Sequence, residues 1–167
     1  MRSFRFLGVL LLAGVLVAGC DFFEQRDRTF DDDPKLEFFP LSETVDESDA
    51  EDAGGTVTVE TSIQLIGPQR DSDLTVNYTV VDTSFEDEEN LEAAQEGTHF
   101  TLPATSATIA ANSSSAPVEV NVLDNNVDDG DTNYVLYLNL QDDNEVEPAE
   151  NLKTYTLTIR GADESNE

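Results

Sequence analysis

Few residues in this chain could carry acid–base or nucleophilic chemistry. It has one histidine, His99, and one cysteine, Cys20, against 36 aspartates and glutamates. General acid–base catalysis needs a group poised near neutral pH, and His99 lies in a strand-like segment, which favours a structural or surface role. The serines at 113–115 lie in a polar turn without the glycines of a nucleophile elbow. We therefore do not expect them to act as nucleophiles.

The sequence does not support other classes of enzyme either. Paired carboxylates could suit a glycosidase, but 36 acids create pairs by chance, and no tryptophan is present to line a sugar cleft. Neither a phosphate-binding loop nor a dinucleotide-binding fingerprint occurs. The sequence therefore predicts a protein that is not an enzyme.

The only cysteine follows an apolar segment at the start of the chain. Arg2 and Arg5 precede an uncharged run from Phe6 to Val17, which is too short to span a bilayer and has the length of a signal-peptide core. The run ends in Leu16-Val17-Ala18-Gly19-Cys20, which resembles the lipobox of bacterial lipoproteins. The resemblance implies cleavage before Cys20 and attachment of lipid to it. The alternative is an ordinary small residue near a signal cleavage site.

The net charge is −28, from 8 basic and 36 acidic residues. If residues 1–19 are removed, six basic minus 36 acidic residues give −30 for the mature chain. Such a surface excludes nucleic acid as a partner, because phosphates attract basic surfaces. The single cysteine excludes a disulfide scaffold. We favour adaptation to a salt-rich habitat, a halophilic trait, over a dedicated ligand role, because salt would screen the self-repulsion.

Alternation of apolar and polar residues dominates from Leu36 to Ile159. The clearest alternating segments are Val57–Leu65, Leu74–Val80, Val118–Val122, Tyr134–Leu140 and Tyr155–Ile159, with shorter candidates at Leu36–Phe39, Thr98–Leu102 and Ser106–Ile109. Period-two patterns of β-branched and aromatic residues are typical of half-buried strands. With no long helical pattern between them, they predict an all-β fold, an immunoglobulin-like antiparallel β-sandwich of about seven or eight strands.

Composition divides the chain into four parts. We expect a lipoprotein signal peptide at 1–19, a lipidated acidic tether at 20–34, the β-sandwich at 35–161 and an acidic tail at 162–167. The longest break between strands, 82–97, is rich in acids, six of which fall between Glu86 and Glu96. It is expected to be a solvated loop, with a single helical turn as the alternative.

The order of these pieces resembles the Calx-β domain, a calcium-binding sandwich found in exchangers and bacterial surface proteins. The similar segments, in chain order, are Leu36–Phe39, Thr44–Glu47, Gly55–Val59, Val76–Tyr78, Gly97–Thr101 and Val122–Asp131. Tyr134 stands where the family commonly has a phenylalanine. The resemblance covers roughly residues 36–160 and implies a calcium site at one end of the sandwich.

Carried over position by position, the resemblance places acids of a calcium site at Glu47, Asp82, Asp124 and Asp129. Calcium requires six to eight oxygen ligands, several of them carboxylates. The chain departs from the family pattern at Asn125, at Thr132 and after Ile159, where Arg160 replaces an acidic run. The alternative is therefore a solvated acidic end without metal, in which Arg160 is an internal counter-ion.

Together these patterns predict a lipid-anchored protein of the cell envelope that presents a non-catalytic β-sandwich for binding or scaffolding. We expect the outer membrane or cell surface rather than the inner membrane. The membrane partner would be reached through the lipid, and a protein or glycan partner at the surface is anticipated. Two alternatives stay open: a calcium-binding module, and an accessory subunit of an outer-membrane uptake or secretion complex.

Overall fold

The computed structural model describes residues 32–85, 90–124 and 132–161. Within these ranges the chain forms ten strands and one short helix. The strands are β1 (Lys35–Phe39), β2 (Ser42–Asp46), β3 (Thr56–Ile66), β4 (Leu74–Val80), β5 (Leu91–Ala93), β6 (Phe100–Thr101), β7 (Ser106–Ile109), β8 (Ser115–Leu123), β9 (Asn133–Leu140) and β10 (Thr154–Arg160), and the helix is α1 (Glu47–Asp52).

The strands make two sheets, as the alternation predicts. The first has the order β1-β3-β8-β6, and the second has the order β2-β10-β9-β4-β7, with β5 also paired to β9. The first two strands belong to different sheets, so the chain crosses from one layer to the other immediately after β1. The all-β, immunoglobulin-like sandwich is confirmed.

The core lies between the inward faces of the two sheets. Along β4 the buried residues are Leu74, Val76 and Tyr78, and the intervening threonine and asparagine are exposed. The ring of Phe38 sits in the middle of this core, with its centroid 6.4 Å from that of Tyr78 and 5.9 Å from that of Tyr155. One face of each long strand is therefore hydrophobic interior, and the other face is mostly polar, although β9 also buries Val135 on its second face.

Three features differ from the sequence prediction. The segment expected to be a loop or a helical turn contains strand β5, which pairs with β9 in parallel. Strand β2 also pairs in parallel, with β10, so the sandwich is not purely antiparallel. Helix α1 was not expected, because only Ala50 among its six residues is apolar. Strands β2 and β5 bring the number of strands in the described ranges to ten, above the predicted seven or eight.

Candidate functional site

One end of the sandwich holds two of the acids that the resemblance associates with calcium, Glu47 and Asp124. The parallel register sets Arg160 of β10 opposite Asp46 of β2, and the antiparallel register sets Arg160 opposite Asn133 of β9. Thr132 reaches the same end, because its carbonyl accepts a hydrogen bond of 2.9 Å from the Gly161 N–H. We call this region the acidic end and define it by Asp46, Glu47, Asp124, Thr132 and Arg160.

Gly55 joins helix α1 to the end of β8. Its N–H donates to the carbonyl of Ala50 at 2.8 Å, and its own carbonyl accepts from the Asp124 N–H at 3.2 Å. The φ of Gly55 is +109°, in the left-handed region where a side chain would be strained. A glycine is therefore required where the chain passes from α1 into β3, and it holds Asp124 near the helix.

Glu47 is the most buried acid of the acidic end. It is the first residue of α1 and is only 3% exposed. The helix packs against β3 and β8, so this carboxyl faces the interior of the acidic end rather than solvent. Burial of a carboxylate is unfavourable unless charged or polar groups compensate for the lost hydration. Among the described residues, Glu47 is the one acid that is buried in this way.

Arg160 contacts an acid that the resemblance did not assign to calcium. One of its guanidinium nitrogens, Nη1, lies 3.6 Å from the Asp46 Oδ1. Both side chains are more than half exposed, so solvent screens this pair strongly. Asp46 also precedes α1 as its N-terminal flanking residue, but its side chain makes no capping hydrogen bond.

Asp82 is set apart from the other candidate ligands. The Val81 N–H donates to the Tyr137 carbonyl at 2.9 Å, which places Asp82 beside the middle of β9. Asp82 is level with Leu136, and Asn133 marks the acidic end of the same strand. The two residues are three positions apart along β9, so Asp82 lies roughly 10 Å from that end at about 3.3 Å per residue. Asp82 instead lines a cavity of about 380 Å³ between the end of β4 and β5, together with Val80, Ala94 and Phe100.

The candidate ligands therefore do not converge within the described chain. In residues 32–85, 90–124 and 132–161 no group of three or more acids, histidines or cysteines is arranged to hold a metal ion. Asp129 and Asn125 lie outside the described residues, as does Cys20. Glu47 and Asp124 are the two candidates that share the acidic end.

His99 lies next to the acidic end, and its contacts indicate a structural role. Its ring is 7% exposed and stacks on that of Tyr134, with centroids 3.8 Å apart and planes at 19°. Its Nδ1 accepts a hydrogen bond of 2.9 Å from the Gln95 N–H, and its carbonyl accepts one of 2.9 Å from the Leu123 N–H. The side chain thus fastens the segment before β6 to β9, and its backbone fastens that segment to β8.

Within the described ranges, the opposite end of the sandwich holds most of the basic residues. Of the four lysines and arginines within the described ranges, Lys35 and Arg70 pair with acids of the loop that joins β9 to β10, and Lys153 belongs to that loop and pairs with acids inside it. Lys35 Nζ lies 2.7 Å from Glu147 Oε2, Lys153 Nζ lies 3.1 Å from Glu150 and 3.2 Å from Asp142, and Arg70 pairs with Glu145.

Hydrogen bonding in these pairs raises the pKa of Lys35 and of Lys153 and lowers that of Glu147. Asn144 strengthens the attachment of the same loop. Its Oδ1 accepts from the Asn77 N–H at 2.7 Å, and its Nδ2 donates to the Asn77 carbonyl at 3.0 Å. We call residues 141–153 the clamped loop. This convergence was not predicted from the sequence, because Lys35, Arg70 and Lys153 are far apart in the chain.

In the part of the chain that the structure describes, no helix is long and apolar enough to cross a membrane.

Comparison with known proteins gives a family and a fold. A family model described as an N-terminal domain matches residues 38–147. No curated protein matches the chain. Solved structures do: the apo form of the Calx CBD1 domain has a TM-score of 0.58 at 19% identity, with 79% of this chain and 100% of that domain covered.

Two further structures share the fold over part of their length. The calcium binding domain CBD12 of CALX1.1 has a TM-score of 0.57 at 18% identity and covers 77% of this chain. A candidate carbohydrate binding protein from Bacteroides ovatus has a TM-score of 0.56 at 15% identity and covers 76%. This chain spans only 46% and 37% of those two proteins. At such identities the likeness establishes the fold, a Calx-β-like β-sandwich.

Proposed function

We propose that this chain, which belongs to the family whose model, described as an N-terminal domain, matches residues 38–147, is a non-catalytic binding module. We propose further that a lipid on Cys20 presents it at the cell envelope. The observation that carries the binding role is the sandwich itself, whose structural neighbours include calcium-binding and candidate carbohydrate-binding domains. His99 supports the non-catalytic part of the proposal, because its Nδ1 and ring face are both engaged in holding the fold together.

The net negative charge of the chain limits the kinds of ligand that it can bind. After removal of residues 1–19, six basic and 36 acidic residues give the mature chain a net charge of −30, and such a surface repels anionic glycans and acidic proteins. We therefore propose that the partner is a neutral glycan or a protein surface without excess negative charge. The test is retention of the full-length protein in gels that contain a neutral polysaccharide, compared with gels that contain an anionic one. Retention by the anionic polymer alone would contradict this choice of ligand.

Presentation at the envelope is tested separately from binding. Cells that express the wild-type chain should hold it in the membrane fraction, and a Cys20→Ala variant should lose this attachment. External protease should remove the wild-type domain from intact cells if it faces outward. A Cys20→Ala variant that stays in the membrane fraction to the same extent would overturn the lipid anchor but leave the binding proposal untouched.

Calcium is the second candidate ligand, and the burial of Glu47 at the acidic end favours it. Glu47 and Asp124 would supply oxygens there, but two described carboxylates fall short of the six to eight oxygens that calcium requires. The proposal thus depends on Asp129, outside the described residues, and on main-chain carbonyls. Asp82 does not fit, since it lies beside the middle of β9.

Millimolar calcium should raise the melting temperature of the wild-type protein, because a ligand that binds the folded state alone stabilises it. A Glu47→Gln variant should lose the increase, and a Glu60→Gln variant, which removes an exposed acid from β3, should keep it. An equal increase with magnesium or sodium would rule out the site. An accessory role in an uptake or secretion complex would appear as specific co-purification from native membranes.

A further inference from the structure

The cavity beside Asp82 exists because two strands meet head-on along β9. Strand β10 occupies one edge of β9, so β4 and β5 share the other edge, β4 as far as Leu138 and β5 as far as Val135. Since β4 runs antiparallel to β9 and β5 runs parallel to it, both chains advance towards Leu136. The segments that follow them must separate there, and the cavity of about 380 Å³ lies between Asp82 and Ala94.

The buried part of the cavity lining is apolar. Leu136 and Phe100 line it although each is at most 1% exposed, so the cavity reaches the edge of the hydrophobic core. Val80, Ala94 and Val135 extend this apolar surface. The volume falls within the range of about 300–1,000 Å³ that is typical of small-ligand sites. An aliphatic group would be stabilised there, because it leaves water for apolar surroundings.

The outer part of the lining is polar, and its charge is only negative. Asp82 and Glu96 are exposed, and they are the two charged residues among those that line the cavity. Thr83 and Gln95 add a hydroxyl and an amide oxygen that can accept hydrogen bonds. Within the described ranges no lysine or arginine neutralises the two acids, because three pair with the clamped loop and the fourth with an acid of the acidic end. The lining therefore matches a ligand with an apolar body and a positive end.

We propose that this cavity binds an aliphatic primary ammonium group, whose methylene chain packs on Leu136 and Phe100 and whose ammonium is held by Asp82 and Glu96. Lysine side chains lie along apolar surfaces in this way and keep the charged end near water. The ammonium can donate three hydrogen bonds, and the polar part of the lining supplies acceptors. A quaternary ammonium fits less well, because aromatic cages bind it and Phe100 is the one aromatic residue among the described residues of the lining.

Two sources supply this chemistry, a free diamine and a lysine side chain of a partner protein. The second source would make the cavity part of the protein contact proposed above, and it rests on that proposal. Two probes distinguish the sources: 1,5-diaminopentane, and a lysine blocked at both ends, which carries a similar chain on a peptide backbone. A cavity that takes a lysine of a protein should bind both probes. A cavity that takes a free diamine should bind 1,5-diaminopentane alone.

The experiment follows methyl groups by NMR in the full-length protein in detergent, titrated with 1,5-diaminopentane at constant ionic strength. The methyl signals of Val80, Ala94 and Leu136 should shift together. Those of Leu36 and Leu65 should stay, because they lie on β1 and β3, and β1 is the strand of the first sheet farthest from β6. Pentane-1,5-diol has the chain without the charge, and ammonium chloride has the charge without the chain, so neither should reproduce the shifts. Cavity signals that do not move, or that move equally with either control, overturn the proposal and leave the proposed function standing.

Three variants test whether the lining holds the probe. Asp82→Asn combined with Glu96→Gln should raise the dissociation constant on the order of tenfold. Glu60→Gln combined with Glu119→Gln removes the same charge from two exposed residues that lie opposite each other on β3 and β8, and it should leave the dissociation constant unchanged. Ala94→Leu fills the cavity and should abolish binding. A first double variant that binds the diamine as tightly as the wild type, or a second one that weakens binding equally, contradicts the assignment.

Discussion

Replacing Tyr155 by phenylalanine should stabilise the domain, whereas the same replacement of Tyr78 should destabilise it. Both rings are buried against Phe38 in the same core. The Tyr78 hydroxyl donates to the Ala104 carbonyl at 3.0 Å, but the Tyr155 hydroxyl is buried and has no hydrogen-bond partner within the described ranges. The two sites therefore differ in one respect, which is satisfaction of the hydroxyl.

The magnitudes follow from that difference. A buried polar group without a partner costs about 1–3 kcal/mol, and a net hydrogen bond contributes about 0.5–1.5 kcal/mol. After allowance for the small void left by the oxygen, we expect Tyr155→Phe to raise the free energy of unfolding by about 1 kcal/mol. Tyr78→Phe should lower it by about 1 kcal/mol, so the two variants should differ by about 2 kcal/mol.

Urea denaturation followed by far-UV circular dichroism measures both variants against the wild type. Equal slopes with shifted midpoints would show that stability alone has changed. In thermal melts each change corresponds to about 3–5 °C for a domain of this size. If Tyr155→Phe destabilises the protein as much as Tyr78→Phe, a partner for the Tyr155 hydroxyl exists and the assignment of an unsatisfied group is wrong.

Three other predictions follow from the same structure. Burial raises the pKa of Tyr155 well above its usual range, with Glu43 adding to the shift. The unfolded state therefore releases this proton first as the pH passes about 10, and stability falls by up to about 1.4 kcal/mol per pH unit. Tyr155→Phe should flatten this alkaline loss in urea titrations, and an identical loss would contradict the assignment. His99→Ala should cost about 1–2 kcal/mol of unfolding free energy, because it removes the stack on Tyr134 and the acceptor for the Gln95 N–H; a cost near zero in the same assay would show that His99 does not fasten the segment before β6. If the acid excess serves a salt-rich habitat, the melting temperature without calcium should rise from low to molar salt, and a constant value would reject that explanation.

The fold could be predicted where one face of a strand is buried along its whole length. The alternation in Ser106–Ile109 predicted β7 with its correct bounds, and the alternation in Tyr155–Ile159 predicted β10, which extends one residue further at each end. Short elements could not be predicted in this way. Strand β2 buries only Val45, and β5 has no fully buried residue, so pairing with a neighbour defines both rather than any pattern of their own.

The residue types of the candidate site could be predicted from the sequence, but their spatial arrangement could be predicted only in part. The resemblance placed acids at both Glu47 and Asp82, but the path of the chain after β4 leaves Asp82 beside the middle of β9. Burial of Glu47 could not be inferred, because the short helix that carries it is mostly acidic. The pairing of Arg160 with Asp46 depends on a parallel register that single-strand patterns do not reveal.

Intact mass spectrometry of the protein extracted from membranes tests whether a lipid on Cys20 presents this sandwich at the envelope. We expect a mature chain that begins at Cys20 and carries the additional mass of the attached lipid, with residues 1–19 removed. A chain that retains residues 1–19, or one cleaved elsewhere with Cys20 unmodified, would contradict it.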